Sequence, residues 1–178
     1  MLTAERGKHS GPGNRTTGVT LIELLVALTI AGIMLMFAVP AFNDFTAQRR
    51  MASNVNLVVS AINYARSEAA RQSAVVSVQA LDAADNDNEW GPGFCVTLGD
   101  PGNCDAPMIR YVPEGNMTFN AINGLDGVDS WSFNSRGMLL GGVVGQVDIC
   151  GVDGDDDPGR SVRISAIGRA STEQLTCF

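Results

Sequence analysis

One carboxylate, Glu23, stands inside an otherwise uncharged apolar run that extends from Val19 to Phe42. A charged side chain in a lipid bilayer costs about 2.5–3.5 kcal/mol on insertion scales, so a residue of this kind usually has a function. Gly18 directly precedes the run and lies five positions before Glu23. Glu23 and the glycine junction before it are therefore the first candidate functional residues of the chain.

The apolar run is long enough to cross a membrane as a helix. Its 24 residues extend about 36 Å at about 1.5 Å per residue, against a hydrocarbon core about 30 Å thick. A cleaved secretory signal has an apolar core of about 7–15 residues, and no A-x-A site follows this run. An ordinary single-pass anchor is the simpler alternative, but it explains neither Glu23 nor Gly18.

Charge differs between the two sides of the run. Residues 1–18 carry three basic side chains against one acid, whereas residues 19–178 carry nine arginines against eighteen acids. Positive charge beside a span predicts that its N-terminal side stays in the cytoplasm, which places the remainder in the periplasm. The acidic remainder also excludes a generally basic nucleic-acid binder.

The helix is predicted to continue beyond the membrane, from about Thr20 to about Arg71. Pro40 removes one backbone hydrogen bond, so a kink is expected there. Apolar residues then recur at steps of three and four, which predicts one face packed on a head domain. This stripe comprises Phe42, Phe45, Val55, Val58, Val59, Ile62, Ala65 and Ala69, and the polar residues assigned outside it are Arg49, Arg50, Asn54, Asn56, Asn63 and Arg66.

From Ser73 onward, short apolar or alternating runs are separated by Gly, Pro, Asn and Asp, a pattern typical of antiparallel sheet. The predicted strands are Ala74–Leu81, Gly93–Leu98, Met108–Val112, Met117–Ile122, Ser130–Asn134, Val143–Cys150, Ser161–Ile167 and Gln174–Cys177. The acidic segment Asp82–Glu89 is interpreted as a solvated loop. The predicted fold is therefore α+β, with one long N-terminal helix packed on an antiparallel head of two sheets.

All four cysteines lie after the apolar run, and an even count in an oxidising compartment indicates disulfides. Four cysteines allow three pairings. Cys95 and Cys104 flank a strong turn signal, which favours a bond between them and leaves Cys150 with Cys177. Zinc and free thiols are the alternatives, but there is no CxxC pair and no histidine after residue 18.

Catalysis has little support, because the sole histidine, His9, lies before the apolar run. No cofactor is expected, with calcium as the one open possibility. Alternating acids in a loop can supply several of the six to eight oxygens that calcium requires. The candidates are Asp153, Asp155 and Asp157 in one loop and Asp85, Asp87 and Glu89 in another. A solvated turn is the simpler interpretation of both, because the EF-hand pattern is not met.

The junction from Gly18 to Leu28 resembles the N-terminal signature of type IV pilins and type II secretion pseudopilins. The resemblance implies cleavage after Gly18 by a prepilin peptidase, methylation of Val19, and a role of Glu23 in assembly with other pilins. Val19 departs from the usual phenylalanine. The implied organisation is a leader (1–18), a membrane-spanning and assembly half of the helix (19–42), an amphipathic half (43–72) and a periplasmic head (73–178), anchored in the bacterial inner membrane.

The head resembles the FimT/GspH group of minor pilins and pseudopilins in three motifs. These are Tyr64–Ala69, which contains Ala-Arg-Ser-Glu-Ala, the strand and turn Ser132–Gly137, and the closing segments Val147–Cys150 and Arg163–Arg169. The resemblance implies a minor pilin, with a minor pseudopilin of a type II secretion system as the alternative.

Some FimT-type minor pilins bind DNA through a Gly-Arg-x-Arg loop. Gly168 and Arg169 keep the first half of this motif, and the second arginine is missing. Arg160, Arg163 and Arg169 are therefore candidates for a small DNA-binding patch, although Asp153–Asp157 lie beside them in sequence.

Overall fold

The computed structural model describes residues 18–81, 88–99, 101, 104–122, 130–142, 144–151 and 158–177. Within these ranges the chain forms one long helix, α1 (Leu21–Gln72), followed by eight strands. The strands are β1 (Val76–Ala80), β2 (Phe94–Leu98), β3 (Ile109–Tyr111), β4 (Met117–Ile122), β5 (Ser130–Phe133), β6 (Gly145–Gly151), β7 (Pro158–Ile164) and β8 (Ala170–Thr176). A short 3-10 turn, Leu140–Gly142, lies between β5 and β6.

The chain divides into two compact units between Asn43 and Asp44. The described part of the first unit is the start of α1 and the three residues before it. The helix begins after Thr20, whose hydroxyl Oγ1 accepts a hydrogen bond from the Glu23 amide at 3.3 Å. It continues through Pro40, and the kink expected at that residue stays a prediction.

The second unit packs the later part of α1 against two antiparallel sheets of four strands each. Sheet A has the order β3-β2-β1-β5, and sheet B has the order β4-β6-β7-β8. The predicted α+β architecture with two sheets is confirmed. The apolar residues of both sheets alternate along their strands, because successive side chains of a strand point to opposite faces. The buried apolar set includes Val76, Val78, Phe94, Val96, Trp131 and Phe133 in sheet A, and Phe119, Ala121, Val147, Ile149, Val162 and Ile164 in sheet B.

The buried face of α1 follows the predicted stripe only in part. Its buried residues are Met51, Asn54, Val55, Val58, Ala61, Ile62, Ala65 and Ala69. Phe42 and Phe45 are exposed, so the packed face begins later than the stripe suggests. Asn54, assigned outside the stripe, is fully buried. Its Nδ2 donates to the Glu114 carbonyl and its Oδ1 accepts from the Glu114 amide, both at 2.9 Å, which offsets the cost of burying the amide.

The acidic segment Asp82–Glu89 is not wholly a solvated loop. Residues 82–87 lie outside the described part of the chain, but Glu89 is buried. Its Oε2 accepts a hydrogen bond from the Ala121 amide at 3.4 Å. Asn88 Oδ1 accepts from the Phe119 amide at 2.8 Å, and the Trp90 amide donates to the Phe119 carbonyl at 3.4 Å. Residues 88–90 therefore lie along the outer edge of β4.

Candidate functional site

The first candidate site is the junction between Gly18 and α1. Gly18 and Val19 are exposed and precede the helix, so the peptide bond between them lies in irregular backbone. Thr20 caps the helix, because its carbonyl accepts from the Leu24 amide at 3.2 Å while its hydroxyl accepts from Glu23. Glu23 consequently occupies the third helical position. A carboxylate there faces the positive end of the helix dipole, which stabilises it by about 0.3–1 kcal/mol.

The pair Thr20 and Glu23 also matches the Ser/Thr-x-x-Glu spacing of a capping box. This local role of Glu23 is additional to the predicted role in assembly, and the spacing alone indicates it. Glu23 is exposed, and neither ion pair found in the described part of the chain includes it. Its carboxylate is therefore available to a group outside this chain.

The apolar residues after the junction are exposed from Val19 to Phe42. Among the described residues, α1 is the one helix long and apolar enough to cross a membrane, and its most apolar window has no buried residue. An exposed apolar surface this long is typical of a segment that a lipid bilayer or another protein covers.

A second cluster lies where three of the sequence motifs meet in the head. Arg66, in the middle of Tyr64–Ala69, donates from Nε to the Gly137 carbonyl at 3.0 Å. Gly168, in the turn after β7, packs so closely that an added Cβ would clash with the same carbonyl and stand 3.0 Å from Arg66 Nε. Gly137 and Gly168 both have positive φ, 71° and 75°, a region that favours glycine.

Further bonds tie this cluster together. The Leu139 amide donates to the Ala166 carbonyl at 3.1 Å, which joins the turn after β5 to the turn after β7.

Nearby on α1, Arg71 donates to the Glu68 carboxylate, and this hydrogen bond holds the pKa of Glu68 below its ordinary value. The motif residues thus hold the end of α1 against one end of both sheets, which is a structural rather than a catalytic role.

The two disulfides join the pairs that the sequence analysis favours, Cys95 with Cys104 and Cys150 with Cys177. The second bond passes over Gly159, since an added Cβ there would clash with Cys177 Sγ and lie 3.2 Å from Cys150 Sγ. It links the end of β6 to the residue after β8. The last three strands are therefore joined by a covalent bond as well as by their hydrogen bonds.

Replacing Gly159 by alanine is expected to prevent the Cys150–Cys177 bond or to strain it. The added methyl would also lie 2.9 Å from the Ile149 carbonyl, so sliding the disulfide aside does not relieve the contact completely. Loss of a bond that closes 27 positions of chain costs about 3–4 kcal/mol in the loop-entropy model. Thiol titration and chemical denaturation of the purified protein measure both effects.

The matched control for Gly159→Ala is the same substitution in a chain that carries Cys150→Ala and Cys177→Ala. In that chain the added methyl meets only the Ile149 carbonyl. The loss of unfolding free energy caused by Gly159→Ala should therefore be less than half of the loss in the chain with the disulfide. An equal loss of stability in both chains would contradict the close contact between Gly159 and the Cys150–Cys177 bond. Full disulfide formation with unchanged stability in Gly159→Ala would contradict it as well.

The three arginines proposed for DNA contact are not brought together on one face. Arg160 and Arg163 are three positions apart on β7, so their side chains point to opposite faces of sheet B. Arg163 donates to Gln146 Oε1 at 2.6 Å and lies 3.3 Å from Glu173 Oε2, which partly neutralises it. Arg169 is exposed in the turn before β8. These three arginines therefore form no continuous basic surface, and DNA binding stays a prediction.

The calcium candidates also stay predictions. Asp153, Asp155 and Asp157, like Asp85 and Asp87, lie outside the described residues. Within the described ranges, no group of three or more His, Cys, Asp or Glu side chains is placed to hold a metal ion. Glu89 is the one acidic candidate of the two loops that the structure describes. Its carboxylate already accepts a hydrogen bond from the backbone of β4.

Two family models match the chain. The model described as type II transport protein GspH matches residues 54–168, more than half of the sequence and most of the head. The chain belongs to the GspH family. The model described as the prokaryotic N-terminal methylation motif matches residues 13–39, which include Gly18 and Glu23. The predicted membership of the pilin and pseudopilin family, and of its FimT/GspH group, is confirmed.

Solved structures agree with this assignment. Crystal structures of the type IV minor pilin FimU of Pseudomonas aeruginosa in two crystal forms superpose with TM-scores of 0.62 and 0.58 at 26% identity. These alignments cover 75% and 71% of this chain and 99% of each FimU chain. The GspH family is described as a transport protein and FimU as a minor pilin, not as enzymes, which agrees with the low support for catalysis in the sequence.

Curated relatives match this chain over a short stretch. The type IV major fimbrial protein FimA of Dichelobacter nodosus is 48% identical over 40 residues, which are 22% of this chain and 25% of FimA. A fimbrial protein of the same organism matches to the same extent. The match thus spans a quarter of the length of these relatives.

Proposed function

We propose that this GspH-family protein is a minor pilin that is cut between Gly18 and Val19, methylated on Val19 and assembled into a type IV pilus. The observation that carries the proposal is the N-terminal junction: the methylation-motif match spans it, and the apolar residues that follow are exposed. Segment 1–18 would be the leader, 19–42 the membrane and assembly half of the helix, 43–72 its amphipathic half and 73–178 the periplasmic head.

Before assembly, the span would hold the protein in the inner membrane. The basic leader supports a cytoplasmic N-terminus and a periplasmic head. Disulfides in the head are stable in an oxidising compartment, which supports the same orientation. The partners in this proposal are a prepilin peptidase, the inner membrane and other pilins that contact the stem.

Glu23 would act when the stem leaves the membrane and enters a filament. Cleavage creates an ammonium group on Val19, and the Glu23 carboxylate is exposed and outside the ion pairs of the described residues. The ammonium of one subunit and the carboxylate of its neighbour would attract by about 4 kcal/mol at about 4 Å and an effective dielectric near 20. This attraction offsets the burial of both charges and fixes the axial register of the two stems.

A minor pseudopilin of a type II secretion system is the second candidate, because the matched family is described as a transport protein. The likeness to FimU over 75% of the chain favours the pilus. The two machines are separated by imaging: a tagged chain should appear in sheared surface pili in the first case and stay in the cell envelope in the second.

Cleavage is tested first by the mass of the protein purified from cells with and without a prepilin peptidase. We expect a methylated N-terminal valine in the first case and Met1 in the second. Gly18→Ala should slow cleavage at least about tenfold, about 1.4 kcal/mol in the barrier. An added Cβ at Gly18 meets nothing within 4 Å, so a steric clash in the folded chain does not explain this loss.

Gly32→Ala is the matched control for the cleavage test, since its Cβ also meets nothing within 4 Å and it lies away from the junction. It should be cut at the wild-type rate. An N-terminus at Met1 in peptidase-containing cells, or one beyond Phe42, would overturn the proposed function.

A further inference from the structure

The free edges of the two sheets differ in how well they are covered. β4 is covered by Asn88–Trp90, which take the outward backbone groups of Phe119 and Ala121. β3 has three residues, too few to pair extensively. β5 has four residues, and its Phe133 end pairs with Leu139 on the side away from β1. Covered or short edges are what a monomeric head requires to avoid strand pairing with other chains.

β8 is the exception among these edges. It has seven residues without a proline or lysine, and it pairs along its full length with β7 on one side only. Four successive residues, Ser171 to Gln174, are exposed, so both faces of the strand are open. Within the described ranges, no backbone group outside β7 bonds to it. A long, regular edge without protection is typical of a strand that pairs with a partner.

The turn before β8 determines which of its backbone groups face outward. The Ser165 amide donates to the Arg169 carbonyl at 3.0 Å, which makes these two residues a hydrogen-bonded pair. Bonded and non-bonded pairs alternate along an antiparallel ladder. Ser171, Glu173 and Leu175 therefore bond to β7, and the N–H and C=O groups of Thr172 and Gln174 point away from the sheet.

We propose that the free edge of β8 accepts an extended strand from a different pilin-like subunit, one that carries a basic residue opposite Glu173. Thr172 and Gln174 would supply the backbone bonds, and Glu173, which is half-exposed beside Arg163, would select the charge of the incoming strand. The inference rests on the proposed assembly function, and it assigns the head a contact that the stem does not make.

Charge argues against a second copy of this chain as the occupant. Pairing two copies so that Thr172 of each lies opposite Gln174 of the other would place their Glu173 side chains directly opposite each other, which is destabilising. The part of the chain after Gly18 is also acidic, with nine arginines against eighteen acids. A strand that carries a lysine or arginine opposite Glu173 avoids the repulsion between two glutamates and the repulsion between two acidic chains.

The first test replaces Thr172 by proline in the full chain and measures the ratio of this protein in sheared filaments to that in membranes. Proline removes the outward N–H and keeps every bond to β7. The one lost backbone bond, at about 0.5–1.5 kcal/mol, predicts a fall of about two- to tenfold in filament entry. Thr172→Ala keeps the N–H and should enter at the wild-type ratio. An unchanged ratio for Thr172→Pro would overturn the inference.

The second test does not depend on how the proline variant folds. A photo-crosslinking amino acid at Gln174 is activated in assembled filaments, with the same amino acid at Arg136 as the control, and the products are identified by mass spectrometry. We expect a crosslink from position 174, and none from 136, to an extended segment of a different subunit. A crosslink to a second copy, or none from position 174, would refute the proposal. Absence of the wild-type protein from filaments would instead refute the proposed function.

Discussion

Replacing Glu23 by leucine should leave this protein in the inner membrane and remove it from filaments. The span becomes more apolar, so membrane insertion should be normal or better. The attraction between Glu23 and a neighbouring Val19 ammonium would be lost, and that ammonium would be buried without its partner, which costs about 3–5 kcal/mol. We therefore expect the ratio of filament to membrane protein to fall by at least about a hundredfold, or about 2.7 kcal/mol.

Thr20 provides a control that separates assembly from helix capping. If Glu23 served only the start of α1, removing the Thr20 hydroxyl should produce a defect of similar size, because the two residues share one cap. Thr20→Ala is expected to cost only about 1 kcal/mol of local helix stability and to leave filament entry nearly unchanged. Equal defects in both variants, or an unchanged ratio for Glu23→Leu, would remove the assembly mechanism while the family membership stands.

Much of the fold was accessible from the sequence because its signals are periodic. The predicted helix from Thr20 to Arg71 differs from α1 by one residue at each end. All eight strands exist, and β4 has the predicted bounds. Periodicity also has limits: β8 begins at Ala170, four residues before the predicted Gln174. Residues 171–174 are exposed on both faces, so they carry no alternation by which a strand could be recognised.

The buried polar residues were missed for a different reason. Asn54 and Glu89 are buried because backbone groups distant in sequence, at Glu114 and Ala121, provide their hydrogen-bond partners. A pattern of apolar residues along the chain contains no information about such partners, so it predicts that both side chains face solvent. β7 likewise begins at Pro158 rather than at Ser161. Its first residues belong to the strand because their backbone pairs with the end of β8, and they carry no alternation of apolar residues that would predict a strand.

The candidate sites were predictable to the extent that they are local. Gly18, Val19 and Glu23 lie within six positions, and the family resemblance identifies them. The cluster of Arg66, Gly137 and Gly168 is different, because its members are up to about a hundred positions apart. Each belongs to a motif that resembles the family, but only the structure shows that the three motifs meet at one carbonyl.

Gly168→Ala should be among the most destabilising single substitutions in the head. The residue has φ of 75°, where a side chain costs about 1–3 kcal/mol, and the added methyl would clash with the Gly137 carbonyl, where overpacking costs about 1–3 kcal/mol more. We expect a loss of about 2–5 kcal/mol in the free energy of unfolding. Denaturation followed by the fluorescence of Trp90 and Trp131, both buried in the head, measures this loss.

Two variants separate the contributions to the Gly168→Ala loss. Gly141 has nearly the same φ, 77°, but an added Cβ there meets nothing within 4 Å, so Gly141→Ala reports the backbone strain alone. Arg66→Ala leaves the Gly137 carbonyl without its donor and should cost about 1–3 kcal/mol. Because Arg66 and Gly168 approach the same carbonyl, their combined loss should be smaller than the sum of the single losses. Equal losses for Gly168→Ala and Gly141→Ala would show that the close packing of the three motifs contributes nothing to stability.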